Sequence, residues 1–223
     1  MPIDLYYFRV SAPSRAILMT VRHLQINVNL KHIDLTEGQQ HSEEFLKINP
    51  THQVPVLIDN GFTLWESRAI MQYLCNEYAP NSSLYPTEPK ARALVDRWLN
   101  FDSELYSTID KLLIDKLAKG VEIPEDVITN YKNKLKVLDK LIGVKLYLTG
   151  DQLTIADLSL LATTTYIAWS EQFDFNDYPN YKRWNTRLKS ELHYYEGING
   201  ITREDRDATM AKLKARFQSF RMI

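Results

Sequence analysis

Asn60-Gly61 stands between Val54-Pro55-Val56-Leu57-Ile58-Asp59 and Phe62-Thr63-Leu64-Trp65. A two-residue hairpin turn needs positive φ at both central positions, and Asn-Gly meets that need at small steric cost. The two apolar runs are therefore expected to be neighbouring antiparallel strands. Upstream, Ile3, Leu5 and Tyr7 alternate with Asp4, Tyr6 and Phe8, the period of a half-buried strand. Ile17, Val21 and Leu24 then recur at i, i+4 and i+7 with Leu18 beside them. That spacing predicts a helix starting near Pro13 or Ser14, where a proline's missing N–H would have had no helical partner. Val28 to Leu35 gives a second strand, so the opening is a β-α-β unit with parallel strands and a right-handed crossover. Ser67 opens a further helix, with Ile70, Leu74 and Tyr78 on one side. Residues 1–80 are thus expected to form a mixed four-stranded sheet with helices.

Ser82-Ser83-Leu84-Tyr85-Pro86-Thr87-Glu88-Pro89 places two prolines within four residues, which opposes continuous helix and marks a linker over 81–89. Beyond it Ala91, Val95, Trp98, Leu105, Ile109 and Leu112 keep helical spacing, and Val127 to Leu141 resumes it after a break at Gly120 to Pro124. Residues 90–223 are expected to be all-helical. Thr154-Ile155-Ala156-Asp157 is a capping box, with Leu153 and Leu158 at the positions of a hydrophobic staple, and its role is read as structural.

The chain has 223 residues and 26.1 kDa, enough for two small domains. Lys and Arg number 27 and Asp and Glu 28, a formal charge of −1, so no global field draws in nucleic acid or an anionic membrane. The single cysteine, Cys75, excludes an internal disulfide, a zinc cluster and a C-x-x-C redox pair, and it reads as helix filler beside Met71. Met1-Pro2-Ile3-Asp4 is not a secretory leader, and the apolar run Leu158 to Trp169 is too short and Thr-rich to cross a bilayer. A cytosolic chain is expected, in which the glycosylation pattern Asn81-Ser82-Ser83 is a chance match.

Three places can carry chemistry. Ser11-Ala12-Pro13-Ser14-Arg15 puts a hydroxyl at a strand-to-helix mouth, where unsatisfied N–H groups and about half a positive charge favour an anion. No G-x-S-x-G elbow is present, and His23, His32, His41, His52 and His193 stand in no triad-like motif, so Ser11 reads as a hydrogen-bond donor or as a plain N-cap. Val54-Pro55, after the loop Asn49-Pro50-Thr51-His52-Gln53, is either an ordinary trans step into a strand or a cis step that frees an edge for a peptide-like ligand. Trp65-Glu66-Ser67-Arg68 offers an acid for a ligand ammonium and a hydroxyl and N–H for a carboxylate, or else a cap beside an exposed ion pair.

The order of these features is more specific than any one of them. Tyr6-Tyr7 followed by Ser11-Ala12-Pro13-Ser14-Arg15, then Glu44 to Pro50, Val54-Pro55 and Leu64 to Ile70, resembles the cytosolic glutathione transferases, most nearly the arthropod delta and epsilon classes. Ser83-Leu84-Tyr85-Pro86, Phe101-Asp102 and Leu153 to Asp157 extend the resemblance through the helical half. It implies a thioredoxin-like α/β domain followed by an all-α domain, with glutathione as co-substrate on the first, an electrophile pocket between them, no metal, and a homodimer. Ser11 matches the catalytic serine that donates to the glutathione sulfur. Val54 matches the residue whose backbone pairs with the cysteinyl part, Pro55 the cis-proline, Glu66 and Ser67 the γ-glutamyl contacts, Arg68 their basic partner, and Asp102 a carboxylate completing that charge network. His52 matches a glycine-end contact, and Ala12, Pro13, Leu35 and Tyr106 match pocket positions.

The chain also departs from the pattern. Phe8-Arg9-Val10 replaces a frequent Leu-Pro-Gly and brings a cation near the site's mouth. Gln40 holds the place of a second glycine-end histidine, leaving His41, one residue on, as a candidate ligand. The tail from Gly197, with Phe217, Phe220 and Ile223, matches poorly and either packs or covers the pocket. The expected activity is thiolate attack on apolar electrophiles. The alternatives are a non-catalytic carrier of hydrophobic compounds and a glutathione-dependent peroxidase or isomerase. A translation-machinery interaction domain is disfavoured by Ser11, Glu66 and Ser67.

Overall fold

The computed structural model describes residues 3–168 and 174–220; Trp169 and Ile223 lie outside them. Four strands, β1 (Ile3–Tyr7), β2 (Val28–His32), β3 (Val56–Asp59) and β4 (Phe62–Trp65), form one sheet in the order β2-β1-β3-β4. β1 pairs parallel to β2 and antiparallel to β3, and β3 pairs antiparallel to β4 with Asp59 opposite Phe62. Asn60 (φ 48°) and Gly61 (φ 86°) supply the two left-handed positions of the hairpin.

Helices α1 (Ala12–His23), α2 (Glu43–Ile48) and α3 (Ser67–Tyr78) complete the first half. The second is helical: α4 (Pro89–Leu113) runs into a π-turn at Ile114–Ala118, followed by α5 (Glu125–Ile142), α6 (Ile155–Ala168), α7 (Pro179–Glu191), α8 (Tyr195–Asn199) and α9 (Arg203–Phe220). α1 serves both halves. It sends Ile17 and Met19 into the core with Leu5 and Leu57, and it packs on α6, which also packs on α4. Arg15, fully buried, crosses that seam: its guanidinium donates to Thr165 Oγ1 at 2.9 Å and to Asn199 Oδ1.

The helical half is tied by Asp157. Its carboxylate accepts from Thr154 N and Thr154 Oγ1 at 3.0 Å, Leu148 N at 2.9 Å and Trp184 Nε1 at 3.0 Å, while burial pushes its acidity weaker than usual. Cys75 is buried, which pushes its thiol up to about 12 and fits filler rather than a nucleophile.

Two expectations on strand and helix limits need correction. β2 stops at His32, not Leu35, because Asp34 Oδ1 accepts from Thr36 N at 2.8 Å and Thr36 Oγ1 at 2.6 Å and turns the chain. Tyr78 does not share the buried side of Ile70 and Leu74. Eight residues at 100° each leave it about 80° around from Ile70, so it is 41% exposed and its hydroxyl reaches Asp59. That bond is the first cause of its pKa being raised to about 12.

Candidate functional site

A cleft of about 720 Å³ runs between the sheet half and the helices. Its lining brings together Ser11, Pro13, Leu35, His52, Val54, Pro55, Glu66, Ser67, Arg68 and Tyr106, residues scattered over nearly 100 positions of sequence.

Ser11 is the N-cap of α1, with its Oγ accepting from Ser14 N at 3.4 Å. That bond uses an oxygen lone pair, so the hydroxyl hydrogen is left to donate elsewhere. The first turn of α1 carries no acidic residue, and neither does that of α3, whose N-cap Glu66 makes no side-chain hydrogen bond to the helix. Ser67 lies in the first turn of α3, preceded by Glu66 at φ 70°.

Two of the four non-glycine residues at positive φ among the described residues, His52 (φ 49°) and Glu66, line this cleft. Such conformations cost about 1–3 kcal/mol and persist where the surroundings impose them, characteristically at functional sites. At His52 the surroundings are clear. Buried Asn49 accepts from Thr51 N at 3.0 Å and from Thr51 Oγ1 at 2.8 Å, and its Nδ2 donates to Gln53 O at 2.9 Å, so one side chain braces the loop. The Val54-Pro55 bond is cis. The ladder between β1 and β3 ends at Val56, which leaves Val54 beyond the paired strand and on the cleft wall.

Arg68 Nη2 meets Asp102 Oδ2 at 2.6 Å, and Ser159 Oγ donates to the same oxygen at 2.6 Å. Asp102 is fully buried and stands behind Arg68 rather than on the wall. Three other candidates are not brought to the wall either. Ala12, 1% exposed, belongs to the core, since one residue rotates a helix by 100° and only Pro13 faces the cleft. His41 is exposed at the end of the turn Gln39–His41, and Gln40 takes the wall position; the His41 ring sits 4.8 Å from that of His52. Burial, then the neighbouring His52 and Arg216, lower the pKa of His41. Arg9 is not on the wall; its charge reaches Asp205 at the start of α9, whose pKa is lowered first by hydrogen bonds from Thr202 and least by Arg9.

Sequence reasoning missed two sets of lining residues. Thr209, Met210 and Leu213, from the middle of α9, line the cleft from the tail. Phe217 lies under Lys119 Nζ, and Arg216 donates to Thr36 O at 3.4 Å with its guanidinium lying where a Gly38 side chain would be. The second set is Ser103, Ser107 and Asp110, which share an α4 face with Tyr106. Their i, i+3, i+4, i+7 spacing was a readable signal.

Comparison with known proteins agrees with this arrangement. Residues 1–76 match the model of the glutathione S-transferase N-terminal domain, and residues 105–196 that of the C-terminal domain. Glutathione S-transferase D7 of Drosophila melanogaster is 38% identical over 184 residues, 82% of either chain. A delta-class glutathione transferase of Nilaparvata lugens superposes with a TM-score of 0.86 at 37% identity, over 96% of this chain and 99% of that one. A glutathione transferase homolog from Drosophila mojavensis, solved with bound glutathione, gives 0.85 at 33% identity over 96% and 97%. The two-half fold, the cleft at the seam and these likenesses together show that the chain belongs to the glutathione S-transferase family.

Proposed function

We propose that this chain ionises the thiol of glutathione beside Ser11 and directs the thiolate at apolar electrophiles. The single observation that carries the reading is the Ser11 cap bond, which occupies the oxygen and leaves the hydroxyl hydrogen to donate on the cleft wall. A free thiol of pKa about 8.5 is about 3% ionised at pH 7, and a downward shift of about two units makes roughly three quarters of it thiolate. That shift needs about 2.7 kcal/mol. A hydrogen bond to a charged acceptor contributes about 1.5–3 kcal/mol and a helix terminus about 0.3–1 kcal/mol, so Ser11 and α1 together reach it.

In this reading Val54 pairs its backbone with the cysteinyl part beside cis-Pro55. Glu66 accepts from the γ-glutamyl ammonium while Ser67 and the start of α3 hold the carboxylate. The Arg68–Asp102 pair braces that end from behind, and His52 with Gln40 meets the glycine carboxylate. Pro13, Leu35 and Tyr106 border the electrophile. Residues 1–80 then form the glutathione-binding domain, 81–89 the linker and 90–223 the domain that completes the pocket. A cytosolic homodimer acting on xenobiotic electrophiles fits the family.

Steady-state assays with glutathione against a chlorinated aromatic, an organochlorine and cumene hydroperoxide test this. Ser11→Ala is expected to lower kcat/KM for the aromatic by about 10- to 100-fold while glutathione affinity changes less than threefold, since about 1.5–3 kcal/mol of hydrogen bond is withdrawn from the thiolate and the α1 terminus remains. Unchanged turnover removes Ser11 from the reaction. Reduction of the hydroperoxide without conjugation moves the activity to a peroxidase.

A further inference from the structure

The far wall of the cleft has an acid in it. Ser103, Tyr106, Ser107 and Asp110 form one stripe of α4, and Thr209, Met210 and Leu213 of α9 share the lining with it. Tyr106 Oη donates to Asp110 Oδ1 at 3.3 Å, so the tyrosine is oriented by the carboxylate one helical turn on. Among the described lining residues the only other carboxylate is Glu66, at the start of α3. Burial pushes the acidity of Asp110 weaker, opposed by the Tyr106 bond and by Lys119, whose own ammonium is held by Asp115 at 2.9 Å.

A wall made only of apolar side chains would sort electrophiles by size and shape. A carboxylate there adds a sign, because a charge in a partly dehydrated cleft acts more strongly than one in bulk water.

We propose that Asp110 makes the electrophile side of this cleft charge-selective, favouring acceptors with a cationic or hydrogen-bond-donating group away from the reacting carbon and disfavouring anionic ones. This rests on the reading of Ser11 and glutathione given above. Asp110 acts on the part of the acceptor that does not react. In the reaction itself the glutathione sulfur forms a bond to the electrophilic carbon, the leaving halide departs with its electron pair, and the thiol proton has already gone to solvent.

The test uses three para-substituted benzyl chlorides that differ only in a methyl, a trimethylammoniomethyl or a carboxylate group. Each kcat/KM at pH 7.5 is divided by the uncatalysed rate with glutathione. The wild-type enzyme is expected to prefer the cation over the anion by about tenfold, the scale of one charge acting across several ångströms of a half-wet cleft. Added salt is expected to shrink that ratio, and Asp110→Asn to bring it to within about twofold of unity. A variant whose hydrogen-bonding shape is kept but whose charge is gone moves this ratio only if the charge is what selects. Turnover of the methyl compound with no cation preference in the wild type overturns the proposal and leaves the proposed function standing. So does a ratio that persists in Asp110→Asn. Failure to turn over any of the three, the neutral one included, takes down both.

Discussion

α6 starts behind Thr154 and α3 behind Glu66, and the two positive ends are put to opposite uses. At α6 the Thr154 cap is met by Asp157 three residues on, whose carboxylate takes the Thr154 N–H and hydroxyl and reaches on to Leu148 and Trp184. At α3, and likewise at α1, the first turn has no acid, and Ser67 and Ser11 lie on the wall of a cleft. A helix that supplies its own anion spends its positive end on stability, while one that does not leaves it for a ligand. Three residues after the cap α6 has Asp157 where α3 has Ala69, and the α3 cap, Glu66, makes no side-chain bond to the helix.

The closed end gives the largest expected effect. Asp157→Ala leaves Leu148 N, Thr154 N and Trp184 Nε1 without their acceptor and is expected to destabilise the fold by about 3 kcal/mol, read as a lower urea midpoint. Glutathione affinity of the folded fraction is expected to be unaltered. A midpoint unchanged from wild type would show that the α6 box is not what holds the helical half. The next largest effect comes from closing the open end. Ala69→Asp gives α3 the acid that α6 has, and a carboxylate competing with a ligand's is expected to raise KM for glutathione about tenfold with folding retained. An unchanged KM would separate glutathione binding from the start of α3.

The smallest effect lies at the other end of α1. His23, part-buried with its Nδ1 at 2.9 Å from the Tyr194 hydroxyl, has its pKa lowered first by burial and then by His193. The unfolded chain therefore binds this proton more readily, so stability is full above pH 6.5 and falls as pH drops through 6.5 toward the lower folded value. The loss is less than about 1 kcal/mol, since the ring is only half-buried and solvent screens it. His23→Gln is expected to flatten the decline in urea midpoint between pH 7.5 and 5.5. An identical decline assigns it to other groups.

Local patterns made both helix starts readable from the sequence. The capping box at Thr154, the Asn60-Gly61 hairpin and the hydroxyls at Ser11 and Ser67 are short-range signals, and the elements they predict are present. What escaped depended on contacts between distant segments or on one residue's rotation about a helix axis. Nothing local says that Met210 and Leu213 reach a cleft built by residues 11–68, because the spacing of Met210, Leu213, Phe217 and Phe220 shows that one side of α9 packs but not against what. Gln40 against His41 and Pro13 against Ala12 were decided by rotations of 100–120° that a sequence match one residue wide does not resolve. The Asp34 turn that shortens β2 was visible as an Asp-x-Thr step, yet the apolar Ile33 and Leu35 on either side outweighed it.

The open-end account is tested most directly by titrating the thiol of bound glutathione, following thiolate absorbance against pH in wild type and in Ser11→Ala. The account predicts a midpoint about two units below the free value of about 8.5 in the wild type, returning most of the way in the variant. A bound thiol that titrates near 8.5 in the wild type would contradict it.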